Sequence, residues 1–209
     1  NTACAEEEQK LVTAFSAYLT DSKSGRVLYA KDENEKHEIA SMVKIMTATL
    51  TFEALERGEL SLEEEIVVSP EAAGMGGSQM FLDAGESYKA GDLIKGVVIA
   101  SANDASVALA ERISGSHEAF VNKMNARARE LGMNNTRFCC ATGLPDSGEQ
   151  YSTAKDVNVM TRELMKHKAY YDYAGIWMED FVHPSGRTTQ LVNTNKLIKQ
   201  LEGADGLKT

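Results

Sequence analysis

Ser41-Met-Val-Lys44 opens a helical pattern that runs to about Arg57, where Gly58 supplies the stop. Three positions apart on a helix, the hydroxyl and the amine share one face. A serine hydroxyl is too weakly acidic to attack a carbonyl unaided, and a neutral lysine amine within hydrogen-bond reach can take its proton. The pair thus reads as a nucleophile with its base. It sits at a helix N-terminus, whose free N–H groups and partial positive charge favour an alkoxide and any oxyanion beside it. Taken alone, Ser-x-x-Lys equally describes a solvated helix face, so the surrounding residues decide between the two readings.

Upstream, residues 15–31 read as a hairpin: Phe15 to Asp21, a Ser-Lys-Ser-Gly25 turn, then Arg26 to Lys31. Downstream, Gly74 to Glu86 is Gly-rich and reads as a loop or short irregular strands. Asp92 to Ala100 and Asp104 to Ile113 carry apolar residues at helical spacing, with Ser101-Ala-Asn103 as the junction between them. His117 to Leu131 is a further amphipathic helix stopped at Gly132. Thr153-Ala-Lys-Asp156 resembles a capping box and opens a helix to about Lys168, with Asp156 as a cap. After residue 180 the pattern turns to strands. Phe181-Val-His and Thr188 to Val192 flank Pro184-Ser-Gly186, and Asp205 to Thr209 reads as the start of another strand. Strands at both ends around a helical middle predict an α/β chain of the α+β type. One antiparallel sheet is expected from the two ends, approximately 1–60 and 180–209, with a mainly helical lobe over approximately 61–179.

The chain has 209 residues, 43% of them hydrophobic, enough to bury a real core in one domain or two closely packed lobes. A formal net charge of -9 argues against nucleic acid and against anionic lipid, and Glu6-Glu7-Glu8 and Glu63-Glu64-Glu65 read as solvated surface. Cys4, Cys139 and Cys140 are too few and too badly spaced for a disulfide framework or a zinc site, so neither metal nor cofactor is expected. On a strand, Cys139 and Cys140 would point to opposite faces and play structural parts. Thr2-Ala3-Cys4 faintly resembles a lipid-attachment sequence. His37, His117, His167 and His183 form no triad or metal pattern and are expected to be structural or on the surface. Trp177 and the Tyr170-Tyr171-Asp-Tyr173 cluster are expected in the core.

Ser41-x-x-Lys44, Ser101-Ala-Asn103 and Lys208-Thr209 follow the order of the S-x-x-K, S-D-N and K-T-G motifs of class A β-lactamases and penicillin-binding proteins. Longer stretches narrow the likeness. Gly76-Gly-Ser-Gln-Met-Phe81, Ile99-Ala-Ser-Ala-Asn-Asp-Ala105, Gly143-Leu-Pro, Tyr151-Ser-Thr-Ala-Lys-Asp156 and Leu191 to Thr209 resemble the low-molecular-weight D-alanyl-D-alanine carboxypeptidases. That resemblance covers the chain from about Ser16 onward. It implies a β-lactamase/DD-peptidase-like fold and a serine acyl-transfer enzyme acting on peptidoglycan stem peptides that end in D-Ala-D-Ala. By position, Ser41 would attack the penultimate D-Ala carbonyl and Lys44 would accept its proton. Ser101 would relay a proton to the leaving amine, Asn103 would bond the substrate's backbone amide, and Lys208 and Thr209 would bind the terminal carboxylate. β-Lactams would be covalent inhibitors. The family implies an extracytoplasmic site at the outer face of the membrane, a signal peptide already removed, and attachment through a C-terminal amphipathic segment absent here.

A lysine must be neutral to act as a base, although its ordinary pKa is about 10.4. Burial and a second cation both depress it, so Lys208 is expected to face Lys44 and hold it partly deprotonated. The glycine of K-T-G and the family's closing strands lie past Thr209. The chain is therefore expected to be a fragment of impaired activity, lacking one oxyanion donor that is typically worth ~10²–10³ in rate. Ser-Ala-Asn replaces Ser-Asp-Asn, and no counterpart of the class A deacylating glutamate loop is present, so a β-lactamase is the weaker alternative. The other is a non-catalytic penicillin-binding sensor or cell-wall binding module.

Overall fold

The computed structural model of the chain describes residues 12–145 and 148–208. Cys4, Glu6-Glu7-Glu8 and Thr209 lie outside the described residues.

β1 (Ala17–Thr20) and β2 (Val27–Lys31) form the expected hairpin, with Ala17 opposite Lys31 and an irregularity between Leu19 and Thr20. Asp21 organises the turn by accepting from the Ser24 amide at 2.7 Å and the Ser24 hydroxyl at 2.6 Å. A single 3-10 turn, Ala40–Val43, then feeds α1 (Lys44–Glu56). This helix is the centre of the molecule. Ten of its residues are buried, Lys44 among them. Its threonines enter the core because Thr49 and Thr51 each donate to the carbonyl four residues back, at 2.8 Å.

β3 (Glu65–Val67) and β4 (Ser87–Lys89) pair antiparallel on either side of the irregular stretch 74–86, and α2 (Pro70–Ala73) lies between them. α3 (Ala90–Ala100) and α4 (Asn103–Ser114) meet at the expected junction. α5 (His117–Glu130) begins where Ser116 accepts from the Ala119 amide, and α6 (Ala154–Leu164) where Thr153 accepts from the Asp156 amide. Asp156 itself is no cap. Its carboxylate takes the Asn135 amide and the Thr136 hydroxyl at 2.9 Å each, tying α6 to a neighbouring segment. α6 also stops short of Lys168, because the chain turns to stack His167 on Phe52 and bond it to Glu56 at 2.7 Å. A 3-10 turn (Lys168–Tyr170) and α7 (Tyr171–Ala174) lead to the hairpin β5 (Met178–Val182) and β6 (Thr188–Val192), and α8 (Leu197–Gln200) follows.

The α+β composition is as expected, but the single sheet is not. Among the described residues the strands form three separate two-stranded ladders, and the two terminal hairpins do not pair with each other. Nor is 205–208 a strand. Gly206 has φ +75°, a left-handed value that interrupts extended backbone, and its neighbours bond to side chains instead. The Leu207 carbonyl accepts from Asn195 and the Lys208 amide donates to the Tyr170 hydroxyl, at 3.1 Å each.

One apolar core runs from Ile39 to Leu191, with α1 packed on α4, α6 and α3. Tyr170 and Tyr173 join it around Phe52, whereas Trp177 is only half-buried, with Lys199 5.1 Å from its ring centroid. Arg127 on α5 binds Glu53 of α1 and Glu163 of α6 at 2.8 and 2.9 Å, locking α5 and α6 to the helix that carries Lys44.

Candidate active site

Ser41 sits in the 3-10 turn, half-buried, with its position set by a distant loop. Gly143 has φ +85°, and a Cβ there would fall 1.9 Å from the Ala40 carbonyl oxygen and 2.9 Å from the Ser41 amide nitrogen. Only glycine allows that approach. Ala40, on the other side of the contact, is itself left-handed at φ +44°.

Lys44 is fully buried. Its amine donates to the Thr142 carbonyl at 2.6 Å and reaches Ser41 Oγ at 3.4 Å. One turn on, Thr47 donates to the Ala141 carbonyl at 2.8 Å, so two consecutive carbonyls are pinned to α1. The same loop is held from behind by His117, whose Nε2 accepts the Ala141 amide at 3.0 Å. That fixes the proton on Nδ1, which donates to Glu71 at 3.1 Å.

Burial lowers the Lys44 pKa from 10.5 to about 7, with the charge of Lys208 as the second cause; Cys140 and Asp104 pull the other way. The expected repulsion between Lys44 and Lys208 is present, but desolvation leads it. Lys208 is buried as well, and its burial lowers its pKa to about 8. Thr209 lies outside the described residues.

The second motif lies at the α3–α4 junction. Ser101 ends α3 in the left-handed region at φ +60°, and its buried hydroxyl has no hydrogen-bond partner among the described residues. A buried polar atom without a partner is costly, and a bound substrate or proton-transfer group can supply one. Asn103 faces the 76–82 loop: its amide nitrogen donates to the Ser78 carbonyl and its side chain to the Gly76 carbonyl, both at 2.7 Å. Gly77 has to be glycine here, since a Cβ would meet the Asn103 side chain at 2.8 Å.

Asp104, given no role from the sequence, completes the clamp. Fully buried, it accepts the Met80 and Leu82 amides at 3.1 Å each and the Ala105 amide at 2.9 Å. Between them Phe81 is left-handed, at φ +63°, and its side chain is exposed. From outside, Arg187 donates to the Phe81 carbonyl at 2.6 Å and to Asp83 at 3.0 Å. Thr142, Gly143, Asp104 and His117 thus join the residues picked from the motifs. Asp104 and Gly143 stood within recognised stretches. Thr142 acts through its backbone and His117 through its contact to the loop, so neither left a motif.

The site combines a serine, a buried amine depressed to about 7, a hydroxyl with no partner among the described residues and a second buried cation. That set suits acyl transfer to serine on a substrate with a negative terminus.

Comparison with known proteins points the same way. Residues 3–209 match the family model described as D-alanyl-D-alanine carboxypeptidase. The D-alanyl-D-alanine carboxypeptidase DacF of Bacillus subtilis is 46% identical over 196 residues, which cover 94% of this chain and 50% of the relative. DacC of Escherichia coli is 36% identical over 97% of this chain and 51% of its own length. The crystal structure of DacD from Francisella tularensis superposes with a TM-score of 0.90 at 27% identity, over 95% of this chain and 59% of that one. Penicillin binding protein 5 from Haemophilus influenzae gives 0.86 at 32%, over 95% and 57%. The chain spans about half the length of the curated relatives it matches.

Proposed function

The chain belongs to the D-alanyl-D-alanine carboxypeptidase family, and on that premise we propose that it is a serine-type carboxypeptidase that removes the terminal D-Ala from peptidoglycan stem peptides outside the cytoplasmic membrane. The observation that carries the reading is the buried Lys44 amine, lowered to about 7, within reach of the Ser41 hydroxyl.

At neutral pH a large share of Lys44 is unprotonated. Its donor contact to the Thr142 carbonyl orients the amine, leaving a lone pair for the Ser41 proton. Ser41 Oγ then bonds to the penultimate D-Ala carbonyl carbon as Lys44 takes that proton. When the tetrahedral adduct collapses, the C–N bond breaks and the departing amine of D-Ala needs a proton. Ser101 relays it from Lys44, which accounts for a buried hydroxyl with no partner among the described residues. Asn103 aligns the substrate's backbone amide from the 76–82 rim, and Lys208 holds the terminal carboxylate. Water then cleaves the acyl-serine. A β-lactam enters by the same attack and leaves slowly, so it inhibits.

The test is intact mass after incubation with benzylpenicillin, run beside release of D-Ala from diacetyl-Lys-D-Ala-D-Ala. One penicillin per chain, lost in Ser41→Ala, together with Ser41-dependent D-Ala release is the expected result. Acylation without any D-Ala release would replace this reading with a non-catalytic penicillin sensor, and rapid turnover of a chromogenic cephalosporin would replace it with a β-lactamase.

A further inference from the structure

Cys139 and Cys140 are both unbridged, and they lie outside any strand. The alternation that would send them to opposite faces is therefore absent. Both sulfurs converge on one atom, Gln150 Oε1, at 3.7 and 3.4 Å, and the same oxygen takes their two backbone amides at 3.2 and 3.3 Å. Gln150 is buried, whereas Cys139 is only half so. A groove of about 380 Å³, lined in part by Gly143, Pro145, Gly148 and Gln150, reaches residues that contact the pair. Gly148 lies against Cys139, where a Cβ would sit 3.5 Å from the cysteine Cβ.

The other side of Cys140 faces the catalytic loop. Its sulfur accepts the Gly143 amide at 3.2 Å and the Thr142 hydroxyl at 3.5 Å. Thr142 is the residue whose carbonyl holds Lys44. A group that pulls this sulfur toward Cys139 therefore pulls on the support of the base.

We propose that Cys139 and Cys140 form a dithiol site for thiophilic trivalent metalloids, arsenic(III) in particular, and that filling it slows acylation of Ser41 by drawing the Thr142 carbonyl off Lys44. The chemistry needs no oxidant. An organoarsenic oxide, R–As=O, forms two As–S bonds with the two thiols, the As=O oxygen leaves as water with both thiol protons, and arsenic stays trivalent. Disulfide exchange is the poorer use of this pair. Burial and then the neighbouring Cys140 thiol raise the Cys139 pKa, which starves it of the thiolate that exchange requires. The binding half stands on the thiols alone; the inhibitory half rests on the Ser41 acylation proposed above.

The experiment uses phenylarsine oxide on the chain carrying Cys4→Ala, which leaves Cys139 and Cys140 as its only thiols. Intact mass is expected to show one phenylarsenic group per chain with loss of one water, in Ser41→Ala as well. Benzylpenicillin acylation is expected to fall up to roughly a hundredfold, the usual cost of misplacing a catalytic group by about 1 Å. A dithiol such as 2,3-dimercaptopropanol should reverse both. Cys139→Ala should acylate at the unmodified rate and resist the reagent. An equally stable adduct on Cys139→Ala overturns the dithiol site, and an adduct that leaves acylation unchanged overturns the coupling. Failure of the untreated protein to acylate would instead count against the carboxypeptidase reading, while the mass measurement still decides the site.

Discussion

The Lys44 amine lies closer to the Thr142 carbonyl oxygen, at 2.6 Å, than to Ser41 Oγ, at 3.4 Å. A carbonyl cannot take the lysine's proton, so it aims the amine without quenching it. Burial then decides how often that amine is neutral.

Acylation by benzylpenicillin is expected to rise with pH through about 7, as Lys44 loses its proton, and to decline above about 8, as Lys208 loses the charge we propose for holding the carboxylate. Lys208→Ala removes the second cause of the Lys44 depression, so the lower limb moves to higher pH. Because burial is the leading cause, the move should be roughly one pH unit or less. Stopped-flow acylation over pH 5–10 measures both limbs.

Asp104→Asn offers a cleaner dissection of the 76–82 rim. The variant loses one carboxylate acceptor for the Met80 or Leu82 amide, at a cost of about 1–3 kcal/mol. It also removes a negative charge that raises the Lys44 pKa, so the lower limb of the acylation profile shifts to lower pH. A merely structural defect would slow acylation without moving that limb. Hydrogen exchange at 76–82 would report the loosened rim directly.

Gly143→Ala should abolish acylation. The new Cβ would lie 1.9 Å from the Ala40 carbonyl, in a left-handed conformation that alanine resists, so the 40–41 backbone is forced away. A stability loss of about 1–3 kcal/mol is expected from the backbone strain. Urea unfolding and fluorescent penicillin labelling read the two effects separately.

Ser101→Ala should split stability from activity. The native hydroxyl is buried without a partner among the described residues, so deleting it should leave stability unchanged or raise it by about 1 kcal/mol. D-Ala release should meanwhile fall ~10²–10⁴-fold, the usual weight of a positioned proton-transfer group. A destabilised variant with normal turnover would refute the relay role.

The helices were legible in the sequence because their signals are local: Thr153 and Ser116 cap α6 and α5, and Gly58 and Gly132 end their runs. Ser41 and Lys44 were legible for the same reason, being one turn apart. Sheet pairing is set by distant partners, so the terminal strands gave no hint that they would form separate ladders. The misread strand at 205–208 turned on Gly206, whose left-handed backbone a periodic pattern does not register. Thr142 was silent because any residue carries a carbonyl; its role arises only when the fold brings it 98 positions back along the chain to Lys44.

That separation links chemistry to the order of assembly. A contact between residues so far apart has to meet the entropy of closing the intervening loop, which a helix does not. The helices can form without Lys44 finding Thr142 or Ala40 finding Gly143, and a chain stalled there would look folded by its helical content yet leave penicillin intact. Covalent capture of a fluorescent β-lactam is thus a clock for the final step of folding, and in a refolding experiment its signal should lag behind the recovery of helical circular dichroism.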